Sequence, residues 1–178
     1  VDGIDSKDIN LADYRKHIGV LPQHIKIFNG SLADNIILWR EIKDTQQLLN
    51  LIQDTDLSIF LNRFEHGLYT LLGENGRKLS GGEMQMLALI RALLFKPKLL
   101  IIDEGLSGVD FEIEEQIYES IKVYSKTNAV LLITHNLANL LKTYYLYVIN
   151  NGNISEHGSP SLLIQNGNIF GNSVKKQY

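Results

Sequence analysis

Three apolar runs spaced along the chain predict the strands of an α/β fold. Residues 18–21, 99–102 and 129–134 are mostly aliphatic, and the last two are unbroken runs, which is typical of parallel strands covered on both faces. Between these two runs, residues 113–124 place an apolar side chain at every third or fourth position, which predicts a helix with one buried face. Strand, helix and strand in this order predict a parallel sheet.

The stretch from residue 31 to residue 95 is predicted to be mostly helical. Two serines in it, Ser31 and Ser80, are each followed by an acid three residues later. This pattern is typical of a helix start in which the hydroxyl and the carboxylate cap backbone N–H groups reciprocally. We interpret residues 31–95 as a helical subdomain inserted into a core lobe formed by residues 1–30 and 96–158.

The remaining residues predict a hairpin and a tail. Residues 145–149 and 153–156 are joined by the turn sequence Asn-Asn-Gly, which predicts an antiparallel hairpin at the edge of the sheet. The tail, residues 159–178, is expected to form a short helix followed by frayed chain.

Composition and charge narrow the function only slightly. The chain has 178 residues, of which 44% are hydrophobic and 21% charged, as expected for a globular protein that buries a core. A net charge of −3 gives no electrostatic reason to bind nucleic acid, and no nucleic-acid partner is predicted. The absence of cysteine excludes a disulfide framework and a cysteine metal site.

The sequence Leu-Ser-Gly-Gly-Glu at residues 79–83 predicts an anion site. Ser80, Gly81 and Gly82 at a helix start present a hydroxyl, bare backbone N–H groups and the positive end of the helix dipole, all of which suit phosphate. Glu83 would complete the cap. An ordinary helix N-cap explains the same residues without any ligand, so the pattern alone leaves both interpretations open.

A second motif joins an apolar run to two acids. Residues 99–102 lead directly into Asp103 and Glu104. A carboxylate at the end of a buried strand can hold Mg²⁺, and the next one can orient a water molecule. A solvated turn is the alternative, and the four aliphatic residues before the acids make it the weaker interpretation.

The two motifs, in this order and at this separation, resemble those of the ATP-binding cassette (ABC) ATPases. Residues 79–83 resemble the signature motif of that family, and residues 99–104 resemble its Walker B strand with the catalytic glutamate. Gln23, after the first predicted strand, is similar to the glutamine of the family's Q-loop, whose side-chain carbonyl can ligate Mg²⁺. Taken alone, a glutamine in a loop is nearly always only solvated.

Two further positions are similar to family motifs. Ser107 and Asp110 stand where the family's D-loop stands, although Asp110 serves equally well as the N-cap of the next helix. His135, after the third apolar run, resembles the switch histidine that contacts the γ-phosphate of ATP, although a lone histidine at a strand end is more often structural.

The chain also departs from the family pattern. Glu83 stands where the family usually has glutamine, which adds a negative charge near the predicted phosphate site. Met84 and Met86 replace two arginines near the interface, which puts the catalytic strength of the site in doubt. Because glutamine would cap the helix equally well, exchanging Glu83 for glutamine is expected to leave the stability nearly unchanged.

The resemblance implies a partial RecA-like (P-loop NTPase) core with a parallel sheet and an inserted helical subdomain. It implies that ATP hydrolysis, with Mg²⁺, powers transmembrane export. The implied partners are a second nucleotide-binding domain and a transmembrane domain, at the cytoplasmic face of the membrane. The implied roles are catalysis for Glu104 and His135, Mg²⁺ binding for Asp103 and Gln23, and nucleotide contacts for Gln23, Ser80, Gly81, Gly82, Glu83, Ser107 and Asp110.

No G-x-x-x-x-G-K-[ST] phosphate loop occurs in these residues, and the resemblance predicts one upstream. We therefore interpret the chain as a C-terminal fragment of an ABC ATPase domain, inactive alone and with apolar surface uncovered. Two alternatives remain: a non-transport ABC ATPase of DNA repair or chromosome maintenance, and a non-catalytic interaction module. The short stretch from Gln23 to Leu79, which lacks sustained heptads, disfavours the first.

Overall fold

A computed structural model describes residues 3–38, 40, 42, 44–53, 57–74, 76–105 and 111–177. The chain divides into two compact units, residues 1–133 and residues 134–178. The helices are α1 Leu11–Lys16, α2 Leu32–Ile37, α3 Thr45–Gln53, α4 Gly81–Leu93, α5 Phe111–Tyr124, α6 Leu137–Leu140, α7 Pro160–Asn166 and α8 Ile169–Gln177. The strands are β1 Ile18–Leu21, β2 Gly30–Ser31, β3 Leu71–Leu72, β4 Leu99–Asp103, β5 Ala129–Ile133, β6 Leu146–Asn150 and β7 Asn153–Gly158.

The first unit is built on a parallel sheet in the order β1-β4-β5, which confirms the three predicted strands. Helix α4 packs against β1 and α5 against α4. Gly19 permits the first of these contacts, because a Cβ at this position would lie 2.4 Å from the backbone oxygen of Ala92. Leu21, Leu100 and Ile102 are fully buried in the resulting core.

The other face of this sheet is exposed at Val20, Leu131 and Ile133. The prediction that the strands are covered on both faces is therefore wrong for this chain. The expectation of uncovered apolar surface is confirmed by the same three side chains. Buried and partly exposed residues alternate along β4, as they do in a sheet with one packed face.

The stretch from residue 31 to residue 95 holds α2, α3 and α4, as predicted. Ser31 and Ser80 are the N-caps of α2 and α4, and each forms a reciprocal cap with the acid three residues later. Two features were not predicted. Ser58–Arg63 and Gly67–Tyr69 are 3₁₀ helices, and the short strands β2 and β3 pair antiparallel.

The second unit contains the predicted hairpin, β6 and β7. Its strands pair with each other as a separate two-stranded sheet among the described residues, so the predicted place at the edge of the parallel sheet is wrong. The turn between them uses Asn151 and Gly152, both with positive φ, which suits the twist of a tight hairpin.

The short helix predicted for the tail is α7, but the frayed chain expected after it is wrong, because a second helix, α8, follows. The Glu156 carboxylate accepts hydrogen bonds from the backbone N–H groups of Ile169 (2.5 Å) and Phe170 (3.2 Å) at the start of α8. Phe170 is buried with Leu163 and other apolar residues in a small core. This cap and this core explain why the tail is ordered.

Candidate functional site

A side-chain contact at the carboxyl ends of β1 and β4 joins two of the predicted site residues. The strands are paired in register, with Leu21 opposite Ile102. The chain then leaves both strands at the same edge of the sheet. Gln23 Nε2 donates a 2.8 Å hydrogen bond to Glu104 Oε2 across a sequence separation of 81 residues. The structure thus brings together the glutamine predicted for the Q-loop and the predicted catalytic glutamate.

The backbone at Glu104 is held in a left-handed conformation, with a φ of +48°. Its N–H donates a 2.9 Å hydrogen bond to the Ile133 carbonyl oxygen at the end of β5. The next residue, Gly105, is buried, and a Cβ there would lie 1.5 Å from Leu21 Cδ2. Positive φ at a non-glycine residue is uncommon and is found mainly at turns and functional sites. The hydrogen bond to Ile133 and the close packing of Gly105 therefore fix the backbone position from which the Glu104 side chain projects.

Asp103 is the last residue of β4, pairs in register with Ile133 and is exposed. Asp103 and the side-chain carbonyl of Gln23 supply the kind of oxygen ligands that Mg²⁺ prefers. No cluster of three or more histidine, cysteine or acidic side chains suited to a metal occurs within the described part of the chain. A donor set of one or two carboxylates fits Mg²⁺, which keeps several waters and binds through substrate phosphates.

Helix α4 begins with the predicted anion site. Ser80 Oγ accepts a 3.2 Å hydrogen bond from the Glu83 N–H, and the Ser80 N–H donates a 2.9 Å hydrogen bond to Glu83 Oε2. Gly81 and Gly82 are the first two residues of α4. The cap satisfies two of the N–H groups that a helix start leaves open, and confirms the predicted helix start.

Glu83 has a partner that the sequence analysis missed. Its side chain is only 8% exposed, and Glu83 Oε1 accepts a short hydrogen bond from Arg77 Nη2 in an ion pair. The Arg77 guanidinium also donates to the backbone oxygen of Arg63 (2.6 Å) and lies 4.6 Å from the ring centroid of Phe64. The positive charge of Arg77 offsets the negative charge that distinguishes Glu83 from glutamine. A buried acid requires such a partner, and this rule is the signal that could have predicted a nearby base.

Three predicted site residues remain. Ser107 and Asp110 lie outside the described residues. His135 lies in the second unit, where it is exposed and just precedes α6.

A cleft of about 590 Å³ opens beside Arg77 in the first unit. Its lining includes Ile27, Phe28 and Asn29, and Asn29 Oδ1 accepts a 2.8 Å hydrogen bond from the N–H of Glu74, which also lines the cleft. The cleft therefore borders both the segment that follows Gln23 and the residues that precede α4.

Comparison with known proteins identifies the family of this chain. The family model described as ABC transporter matches residues 1–107. The chain belongs to the ABC transporter family. In a solved bacterial Atm1-family ABC exporter with ATP bound, the matching part superposes with a TM-score of 0.86 at 26% identity, covering 99% of this chain and 31% of the exporter chain. The predicted α/β fold of the P-loop NTPase type is confirmed.

Two relatives illustrate the relationship of this ABC chain to longer proteins. The ATP-dependent lipid A-core flippase of Pasteurella multocida is 37% identical over 94% of this chain and 29% of its own length. ABC transporter B family member 1 of Dictyostelium discoideum is 34% identical over 99% of this chain and 20% of its own length. The chain thus spans less than a third of each relative. No helix in the described ranges is both long and apolar enough to cross a bilayer.

Proposed function

We propose that this chain is part of an ATP-hydrolysing domain that powers export through a membrane domain. The observation that carries the proposal is the 2.8 Å contact between Gln23 and Glu104, beside Asp103 at the carboxyl edge of a parallel sheet. This edge is where open α/β sheets bind their ligands. Membership of the ABC transporter family and a relative named as an ATP-dependent flippase support the same reaction class.

In this proposal Glu104 orients and polarises the water that attacks the γ-phosphate. Gln23 holds the Glu104 side chain by donating from its amide nitrogen, which leaves its carbonyl oxygen as the group to offer Mg²⁺. Asp103 is exposed at the strand end and would hold the same ion. When bound, Mg²⁺ neutralises charge on the phosphates.

The remaining predicted residues are assigned to a second nucleotide-binding domain and its nucleotide. Ser80, Gly81 and Gly82 would offer the positive end of α4 to the γ-phosphate bound by the partner domain. Glu83, paired with Arg77, is assigned a capping role rather than a phosphate contact. Ser107 and Asp110 would lie at the interface, and His135 would contact the γ-phosphate. The membrane domain would place this assembly at the cytoplasmic face.

The experiment that tests the proposed function is Glu104→Gln in the full-length protein that contains this sequence. We expect ATP binding to be retained and hydrolysis to fall by about a hundredfold or more, because the variant lacks the general base. The matched control is Glu119→Gln, which removes an exposed carboxylate on α5 that pairs with Lys122 three residues away. Wild-type phosphate release by the Glu104 variant would contradict the proposal.

We further propose that the 178-residue chain alone neither binds Mg-ATP tightly nor hydrolyses it. Gln23, Asp103 and Glu104 together present mostly negative charge to a triphosphate, and the positive end of α4 is assigned to the partner's nucleotide. Calorimetric titration of the chain with Mg-ATP checks this point. A micromolar Kd would require a nucleotide site other than the one described.

A further inference from the structure

The segment that carries Gln23 has no regular secondary structure. Residues 22–28 belong to neither a helix nor a strand, so their backbone polar groups must find other partners. Ile25 and Ile27 pack partly against the core. Two side chains on helices, Asn35 of α2 and Arg91 of α4, form hydrogen bonds with the backbone of the segment.

The Asn35 side chain forms hydrogen bonds with both backbone polar groups of Phe28. Its Oδ1 accepts a 2.9 Å hydrogen bond from the Phe28 N–H, and its Nδ2 donates 2.9 Å to the Phe28 carbonyl oxygen and 3.0 Å to that of Ser31. Asn35 is only 1% exposed. A buried amide that makes several hydrogen bonds fixes its partners far more firmly than an exposed one.

All three guanidinium nitrogens of Arg91 donate hydrogen bonds to Asn35 or to the segment that carries Gln23. Nε donates 2.5 Å to the Asn35 carbonyl oxygen, Nη2 donates 3.2 Å to Asn35 Oδ1, and Nη1 donates 2.9 Å to the Lys26 carbonyl oxygen. Burial lowers the pKa of Arg91 to about 10, so the group is still a cation at neutral pH. Three acceptors in a planar fork suit arginine and cannot all be reached by a lysine ammonium group.

These bonds connect two parts of the candidate site. Lys26 and Phe28 follow Gln23 by only a few residues, and Arg91 lies near the end of α4, the helix that begins beside Ser80. We propose that Arg91, acting with Asn35, is a positioning residue that sets the loop carrying Gln23 against α4 and thereby holds Gln23 on Glu104. This inference rests on the proposed function for its catalytic consequence, but its structural part does not.

The structural part is tested in the 178-residue chain by amide hydrogen exchange, with Arg91→Lys as the variant. The Phe28 amide is the reporter, since it donates to Asn35 Oδ1. We expect it to exchange about tenfold faster in the variant, because hydrogen bonds from a charged group are lost. Amides of α5 should be unchanged, which separates a local effect from general unfolding.

Arg40→Lys is the matched control. Arg40 donates one 3.3 Å hydrogen bond to the Arg91 carbonyl oxygen and lies 4.8 Å from the ring centroid of Phe95, and its guanidinium has no described bond to residues 22–28. We expect wild-type Phe28 exchange in this variant. Unchanged Phe28 exchange in Arg91→Lys would overturn the proposal, because it would show that Ile25 and Ile27 hold the segment without the guanidinium.

The catalytic part is tested in the full-length protein by steady-state ATP hydrolysis. Arg91→Lys should lower kcat by about tenfold and change KM for ATP by less than about twofold, since it misplaces Gln23 without touching nucleotide. Arg40→Lys should match the wild type in both constants. Faster Phe28 exchange with an unchanged kcat would refute the positioning role. A wild-type protein without ATPase activity would refute the proposed function and leave the exchange result standing.

Discussion

Ser80 and Glu104 are both candidate functional residues, but the chain holds them differently. Ser80 starts a helix whose cap is closed by Glu83, and that acid is buried and paired with Arg77. Glu104 has a strained backbone, and its side chain accepts a hydrogen bond from Gln23 in an irregular loop. The first part is built from local contacts within residues 77–83, and the second from contacts between distant segments.

This difference bears on how the site would work. A helix start that binds phosphate binds more tightly if it is already ordered before the ligand arrives, because no free energy is then needed to orient its N–H groups. A water-orienting carboxylate that must respond to a nucleotide needs a contact that can break and re-form. The hydrogen bond that Glu104 accepts from Gln23, in an exposed loop, meets that need. We therefore expect substitutions at Glu83, which closes the cap of this helix, to change mainly stability, and substitutions at Glu104 to change mainly hydrolysis.

The largest effect on stability is expected for Glu83→Ala. This variant removes the acceptor for the Ser80 N–H and leaves Arg77 without its ion-pair partner. We expect the free energy of unfolding of the 178-residue chain to fall by about 2 to 3 kcal/mol, at the low end for a broken buried pair because Arg77 is partly exposed. Urea unfolding measures this change.

Glu83→Gln separates the contribution of the helix cap to stability from that of the ion pair with Arg77. Glutamine retains an acceptor for the Ser80 N–H, so only the ion pair is lost, and we expect a decrease of about 1 kcal/mol. The ion pair thus revises the expectation, drawn from the cap alone, that this exchange is neutral. If Glu83→Ala cost less than about 0.5 kcal/mol, the contrast between the two parts of the site would be lost.

Glu104→Gly is expected to be more stable than Glu104→Ala. Glycine adopts positive φ without the steric cost of a Cβ, so the variant should gain about 1 kcal/mol relative to Glu104→Ala, which keeps the strained backbone. Both variants should abolish hydrolysis in the full-length protein. Thermal unfolding of the two variants side by side measures the difference. Equal melting temperatures would show that the backbone at Glu104 is not strained.

The sequence predicted the parts of the fold and site that depend on local patterns. The runs that became β1, β4 and β5 are aliphatic over at least three positions each, and the serine-acid spacing identified the starts of α2 and α4. Contacts between distant residues could not be predicted this way. The Gln23–Glu104 and Arg91–Lys26 bonds join segments 81 and 65 residues apart, and no local periodicity carries that information.

The order of the tail was missed for a related reason. Helix α8 has lysines and an asparagine among few apolar residues, so its local pattern is weak. It is held by Glu156, which precedes it by 13 residues, and by burial of Phe170. Tertiary contacts of this kind routinely outweigh local propensity.

The smallest effect is expected at the exposed counterpart of the α4 cap. Hydrogen bonds from the Ser31 hydroxyl (2.6 Å) and N–H (2.9 Å) hold the pKa of Asp34 below its usual range. Because the folded pKa is depressed, the charged carboxylate stabilises the fold above the unfolded pKa of about 3.9. That contribution is lost as the pH falls through the folded value.

Asp34→Asn removes this titration. The variant should be slightly less stable than the wild type near pH 6, and the difference should shrink below about pH 4. Urea unfolding at several pH values measures it. A difference that does not change with pH would mean that the Asp34 carboxylate is not stabilised by its charge.

Gln23 and Glu104 are expected to act together in hydrolysis, with Gln23 holding the carboxylate that orients the water. The most direct test is a double-mutant cycle of Gln23→Ala and Glu104→Gln, followed by ATP hydrolysis in the full-length protein. If the two side chains work together, the loss in kcat of the double variant should be smaller than the product of the single losses by at least about tenfold. Losses that simply multiply would show that the two residues act independently, and would contradict the account.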